Sequence, residues 1–159
     1  MSSPSDFAAT PEIAGHWRPR ARVAEAALLL ALARVLIGQV RLKHWRGTLG
    51  RVAPGSVTPS LTEAAPGSPQ AQVQRRVVRA VLRGAERLPG DTVCLPRAMA
   101  VQWMLKRRGL PSALVFGVLP DHASGDMHAL HAWVESGSRV LIGDDPTRSY
   151  ARGLTLVQP

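Results

Sequence analysis

Cys94-Leu95-Pro96-Arg97-Ala98-Met99-Ala100-Val101-Gln102-Trp103-Met104-Leu105-Lys106-Arg107-Arg108-Gly109-Leu110-Pro111 is the stretch whose reading decides the fold. Its apolar body predicts a helix from about Cys94 to Arg108. The stop is well marked: three basic residues suit the negative end of the helix dipole, Gly109 suits the C-cap and Pro111 prevents continuation. Cys94 is the only cysteine of the chain, so no intramolecular disulfide can form, and it stands where the helix begins. A helix start lowers a thiol pKa through its free N–H groups and dipole, and the thiolate is the nucleophile. Pro96 occupies a first-turn position where a missing N–H costs little. The plainer role for Cys94 is that of a small buried apolar residue.

Downstream of this helix, Ala113 to Leu119 reads as a buried strand and Pro120 to Met127 as a polar loop. His131-Ala132-Trp133-Val134-Glu135 and Arg139 to Ile142 then read as two short strands joined by Ser136-Gly137-Ser138, a hairpin signal. Gly143-Asp144-Asp145-Pro146 follows the second of them. A histidine on one strand and a carboxylate at the end of the next can lie side by side across an antiparallel pair. There the carboxylate can fix the imidazole tautomer and stabilise imidazolium. Helix, strand, loop and hairpin in that order make an α+β layout.

Upstream, Leu88-Pro89-Gly90-Asp91 makes a turn, and a helix is expected from Gln70 to Arg87, with Val73, Val77, Val78, Val81 and Leu82 facing inward. It carries Arg75, Arg79, Arg83 and Arg87 four residues apart on one flank, which is either a solvated face or a docking strip for an acidic peptide. Gly47 to Gln70 is rich in Gly, Pro, Ser and Thr and reads as a linker or long loop. Arg20 to about His44 reads as a helix with a broad apolar side, packed into other protein. Membrane-surface binding competes with that reading, through Arg34, Arg41, Lys43, His44, Trp45 and Arg46 at the helix end. Residues 1 to about 20 read as a loose tail.

The 159 residues suffice for one compact domain, and 45% hydrophobic content suffices for a core that rests on Leu, Val, Ala and Met, since aromatics are only 4%. A net charge of +9 favours an acidic partner. No aromatic stacking run or recognition-helix signature supports nucleic acid. The polar start lacks the layout of a signal peptide, and the longest apolar run, Ala26 to Ala33, is far short of the roughly 20 residues that cross a bilayer. A cytoplasmic location is therefore expected.

Cys94-Leu95-Pro96-Arg97-Ala98-Met99-Ala100, Arg107-Arg108-Gly109-Leu110-Pro111 and His131-Ala132-Trp133-Val134-Glu135 together resemble the leader peptidases of lasso peptide biosynthesis, the transglutaminase-like B proteins. The resemblance is strong over about Gln74 to Leu156 and loose over the N-terminal helix. It implies an α+β, transglutaminase-like (papain-like) cysteine peptidase fold, with N-terminal helices packed on a small antiparallel sheet. The division it implies is a flexible tail at 1–20, a helical region and linker at 21–70, and the peptidase domain at 71–159. It implies a Cys-His-Asp triad of Cys94 as nucleophile, His131 as base and Asp144 as orienting acid, with Asp145 the fallback. The substrate would be a ribosomally made precursor peptide. Expected partners are a separate leader-recognition protein, for which this chain leaves no room, and the lasso cyclase as a further candidate. No cofactor is expected, and no Gly-x-x-x-x-Gly-Lys phosphate loop is present.

Rivals at the same residues are few. His128 competes with His131 as base, but falls at the loop edge rather than on the apolar strand. A metal site from His122, Asp126, His128 and His131 matches no structural zinc spacing. Arg97 is a substrate-side contact or a salt-bridging surface group, and Trp133 either walls the imidazole from water or fills core. The competing function is a non-catalytic module that binds the precursor peptide.

Overall fold

The computed structural model describes residues 19–53, 61–90, 93–120 and 130–158. The N-terminal tail to residue 18 and His122, Asp126 and His128 lie outside them, so the rival base and the metal cluster have no structural counterpart to describe; among the described residues no His/Cys/Asp/Glu group could hold a metal ion.

Among the described residues four helices form: α1 (Pro19–Gln39), α2 (Leu42–Leu49), α3 (Pro69–Ala85) and α4 (Cys94–Lys106). The sheet strands are β1 (Arg51–Val52), β2 (Ser112–Val118), β3 (Leu130–Ser136), β4 (Arg139–Ile142) and β5 (Ala151–Gln158). Ser68 starts α3 by accepting from the Ala71 N–H at 3.2 Å, with Pro69 in the first turn where it has no donor to lose. α4 ends on Gly109 at φ +63°, with Leu110 N–H bonded to Leu105 O and Gly109 N–H to Lys106 O, the bond pair of a glycine-terminated helix.

Nearly every residue of α4 from Pro96 to Leu105 is buried. A helix apolar all round must be covered on all sides, and α4 packs against α1 and α3 as well as β2 and β3. The sheet is antiparallel in the order β1-β5-β2-β3-β4. Helical and strand side chains share one core that includes Leu30, Leu49, Val77, Met99, Met104, Leu114, Val134 and Leu156, so it extends across position 70. α1 approaches α3 closely at Gly84, where a Cβ would lie 3.1 Å from the Ala27 nitrogen.

Several expectations need correction. The N-terminal helix breaks after Gln39, and a second helix carries the chain through Gly47, the expected start of the linker, to Leu49. The cause is Trp45: instead of lying at a basic helix end, it is buried and its indole N–H donates to Val40 O at 2.9 Å. Leu82, expected inward, is 39% exposed, because α3 turns Val77, Ala80 and Val81 to the core. β5 had no counterpart in the reading of the sequence, yet it lies between β1 and β2. Gln102 ties these parts together: its amide donates to Leu49 O (2.9 Å) and Leu156 O (3.2 Å), and its carbonyl accepts from Ser112 Oγ (2.9 Å). No helix among the described residues is long and apolar enough to cross a membrane.

Candidate active site

Cys94 is the first residue of α4, half-buried and packed against the core cluster. The capping residue, Val93, makes no side-chain bond to the first turn. Because Pro96 has no N–H, the groups left without an intrahelical acceptor at this end are the N–H groups of Val93, Cys94 and Leu95. The turn that precedes the cysteine is tied to α1, since Arg34 donates to Pro89 O (2.7 Å) and Gly90 O (2.9 Å).

His131 lies on β3, the strand against which α4 packs, and is half-buried. Its Nε2 is 2.6 Å from the carbonyl oxygen of Gly143. A carbonyl can only accept, so Nε2 carries the proton and donates. In the neutral ring this leaves the lone pair on Nδ1, the tautomer of a base that takes its proton there. Gly143 reaches this position with φ +85°, and a Cβ on it would lie 2.7 Å from Ala132 O and 2.9 Å from Trp133 Cα. Only glycine fits both the dihedral and the space.

Two aromatic rings lie nearly parallel to the imidazole. Tyr150 stacks at 4.6 Å between centroids and Trp133 at 6.0 Å. Trp133 therefore shares the face of His131, as residues two apart on a strand must. It is also locked from behind: its ring covers Gly117, the residue paired with His131, where a Cβ would meet it at 2.6 Å. The Trp133 indole N–H donates to Glu135 Oε2 at 3.3 Å, and Arg152 lies over the ring at 5.7 Å. Glu135 is almost fully buried and accepts both Arg152 guanidinium nitrogens, at 2.9 and 2.5 Å.

The two aspartates differ. Asp144 has an exposed side chain, and no hydrogen bond joins it to His131 among the described residues. Asp145 Oδ1 accepts from the Thr147 N–H (3.1 Å) and Thr147 Oγ1 (2.6 Å), and Oδ2 accepts from the Tyr150 hydroxyl (3.1 Å). The Thr147 hydroxyl bond holds the Asp145 carboxyl below its usual range. Desolvation, and after it the bond to Asp145, pushes the Tyr150 phenol up. A group with a depressed pKa supports the folded loop above its unfolded pKa and loses that support as the pH falls through the folded one. The Asp145 loop therefore stays tied at acidities where a free aspartate is half-protonated.

Thus the structure brings His131, Trp133, Tyr150 and Gly143 together and sets Asp145 behind Tyr150. Cys94 lies on the neighbouring helix, with no hydrogen bond to His131 among the described residues. Arg97, in the first turn of α4, has its Nε buried with no hydrogen-bond partner among the described residues. Sequence reasoning did not find Gly143, Tyr150 and Arg152. A glycine directly before an acidic pair is the one signal of them that the sequence carries.

An α+β fold with its lone thiol at the start of a buried helix, and a fixed imidazole on the strand beneath, is the class these features define. The family model of the transglutaminase-like superfamily matches residues 34–155. The chain belongs to that superfamily. A comparison with curated proteins found no match, and a comparison with solved structures found none either.

Asp144→Asn provides a test of what orients the imidazole. Loss of the carboxylate from a well-studied serine protease triad costs on the order of 10⁴ in rate, largely because the wrong tautomer forms. Here Gly143 O already selects the tautomer. The variant is expected to be slowed by far less than that, with Nε2 still protonated in nitrogen-resolved NMR. A loss of the full size would mean that Asp144 itself engages His131 during turnover.

Proposed function

We propose that the protein is a cysteine peptidase that removes the leader from a ribosomally synthesised lasso peptide precursor. The observation that carries the catalytic half is a helix-start thiol without a side-chain cap, on the helix that packs against the strand of an imidazole whose Nε2–H is already bonded, which leaves the neutral ring's lone pair on Nδ1. The superfamily membership supports acyl-transfer chemistry, and the lasso specificity rests on the resemblance of the Cys94 and His131 motifs.

In this mechanism His131 Nδ1 takes the Cys94 proton, and the thiolate attacks the carbonyl carbon at the leader–core junction. The resulting oxyanion is met by the N–H groups of Cys94 and Leu95. The imidazolium is held through Nε2–H to Gly143 O, with the Asp144–Asp145 pair beside it in the chain. It protonates the departing core amine, the C–N bond breaks, and a thioester to Cys94 remains. Water then attacks this thioester as Nδ1 accepts its proton. The leader leaves as a carboxylic acid and the thiol is restored. Trp133 and Tyr150 shield the ring from bulk water, and Arg97 contacts the substrate.

The test is mass spectrometry of a candidate lasso precursor incubated with the protein, with and without a separate leader-recognition protein. Cleavage at one bond, with the leader released as a free acid, is expected. An intact precursor under both conditions, with the peptide nevertheless bound, would favour the non-catalytic precursor-binding module.

A further inference from the structure

Helix α3 turns Arg75, Arg76, Arg79 and Arg83 to solvent. Three concavities adjoin it. The largest, about 440 Å³, lies between α1, α3 and the end of α4, with Val73, Val77 and Leu110 in its lining beside Arg22 and Arg76. The second, about 190 Å³, lies between α1 and α3 and is lined by Arg22, Arg76, Arg79 and Arg83. The third, about 390 Å³, lies between α3 and β4, with Arg75, Arg79 and Arg139 beside Val78 and Leu141. Because Arg22 and Arg76 belong to the first two, and Arg79 to the last two, the three form one continuous basic surface.

That surface is short of counter-charge. Among the described residues Glu25 is the one carboxylate lining any of the three, and it is bonded to Arg108 at 2.7 Å and Arg107 at 3.3 Å. Among the described residues no ion pair engages Arg22, Arg75, Arg76, Arg79 or Arg83. The same helix leads, through the turn that Arg34 holds, to the start of α4 and Cys94.

We infer that this surface docks an acidic segment of the peptide substrate, with carboxylates on the arginines and an apolar side chain in the pocket of Val73, Val77 and Leu110. The inference rests on the peptidase reading for the identity of its occupant. Charge complementarity sets the acidic requirement, and the apolar lining of the largest pocket sets the requirement for an anchoring side chain. Among the described residues no aromatic ring lines any of the three pockets, so they offer no stacking platform for single-stranded nucleic acid. Concave pockets also suit a polypeptide better than the flat surface of a bilayer.

The test uses fluorescence anisotropy of a labelled synthetic peptide alternating Glu with Leu, titrated with the full chain carrying Cys94→Ala so that no turnover intervenes. Binding that weakens with added salt is expected, together with at least a ~10-fold loss in an Arg76→Glu/Arg79→Glu variant and a flatter salt dependence there. A Lys-Leu peptide should not bind. Arg76→Gln/Arg79→Gln, which removes charge without reversing it, should lose affinity with an unchanged thermal melt. Equal binding by the variants overturns the inference, as does tighter binding of an oligonucleotide or of anionic vesicles than of the acidic peptide. The result separates from the catalytic reading: a peptidase can cleave with a neutral arginine surface, and a docking surface can bind without Cys94.

Discussion

Gly143→Ala is expected to cut turnover by about 10², the cost of misplacing a reacting group by roughly 1 Å, while leaving the apparent substrate affinity nearly unchanged. Two physical effects act together. The residue sits at φ +85°, where an L side chain is strained, and the new Cβ would lie within 3 Å of backbone atoms of Ala132 and Trp133. Backbone cannot yield as a flexible side chain can, so the 143 peptide must move. That movement takes the carbonyl away from His131 Nε2, which it now meets at 2.6 Å. The stability cost should be about 1–3 kcal/mol, typical of stored backbone strain. Gly109→Ala is the control: it is also strained, at φ +63°, but a Cβ there meets nothing within 4 Å. It should lower the melting temperature and spare turnover. If both variants lose turnover equally, the Gly143 carbonyl has no special role in holding the base.

Arg152→Ala is expected to give a large loss of stability, about 3–5 kcal/mol, because it strands a buried carboxylate. Glu135 is 3% exposed, and its partners are the two Arg152 nitrogens and the Trp133 indole. For a chain of this size the melting temperature should fall by roughly 10 °C. Replacing both members, Glu135→Leu with Arg152→Met, should recover most of it, since no unpaired charge then remains. A melting temperature unchanged in Arg152→Ala would mean that water reaches Glu135 and compensates the carboxylate.

The helices α3 and α4 and the hairpin were legible in the sequence because their signals are local. Gly109 and Pro111 after a basic run, and Gly137 between two apolar runs, each mark an end within a few residues. β4 was expected at Arg139 to Ile142 and lies at those residues. β5 was not legible because its polar members are buried by distant partners. Thr155 and Gln158 are covered in the sheet, and Gln158 finds Leu49 O at 2.8 Å, across more than a hundred residues. Trp45 was hidden for a different reason: its basic neighbours suggested a surface, yet it is buried with its indole N–H bonded to Val40 O, only five residues away.

At the candidate site, residue types were legible and contacts were not. A lone cysteine at a helix start and a histidine opening an apolar strand stand out by position. The acceptor for the imidazole did not, because a backbone carbonyl has no letter in the sequence, whereas two aspartates beside it do. Glu135, visible only as the end of the His131 motif, is a partner of Arg152 on a strand that went unread.

The most direct test is leader release by Cys94→Ala, followed by mass spectrometry alongside the wild type and with folding checked by circular dichroism. A folded variant that leaves the precursor intact, while the wild type cuts it and carries the leader transiently as a thioester on Cys94, is the predicted result. Cleavage by the folded variant at the wild-type rate would contradict it, and would leave the cysteine as a small apolar residue of the core.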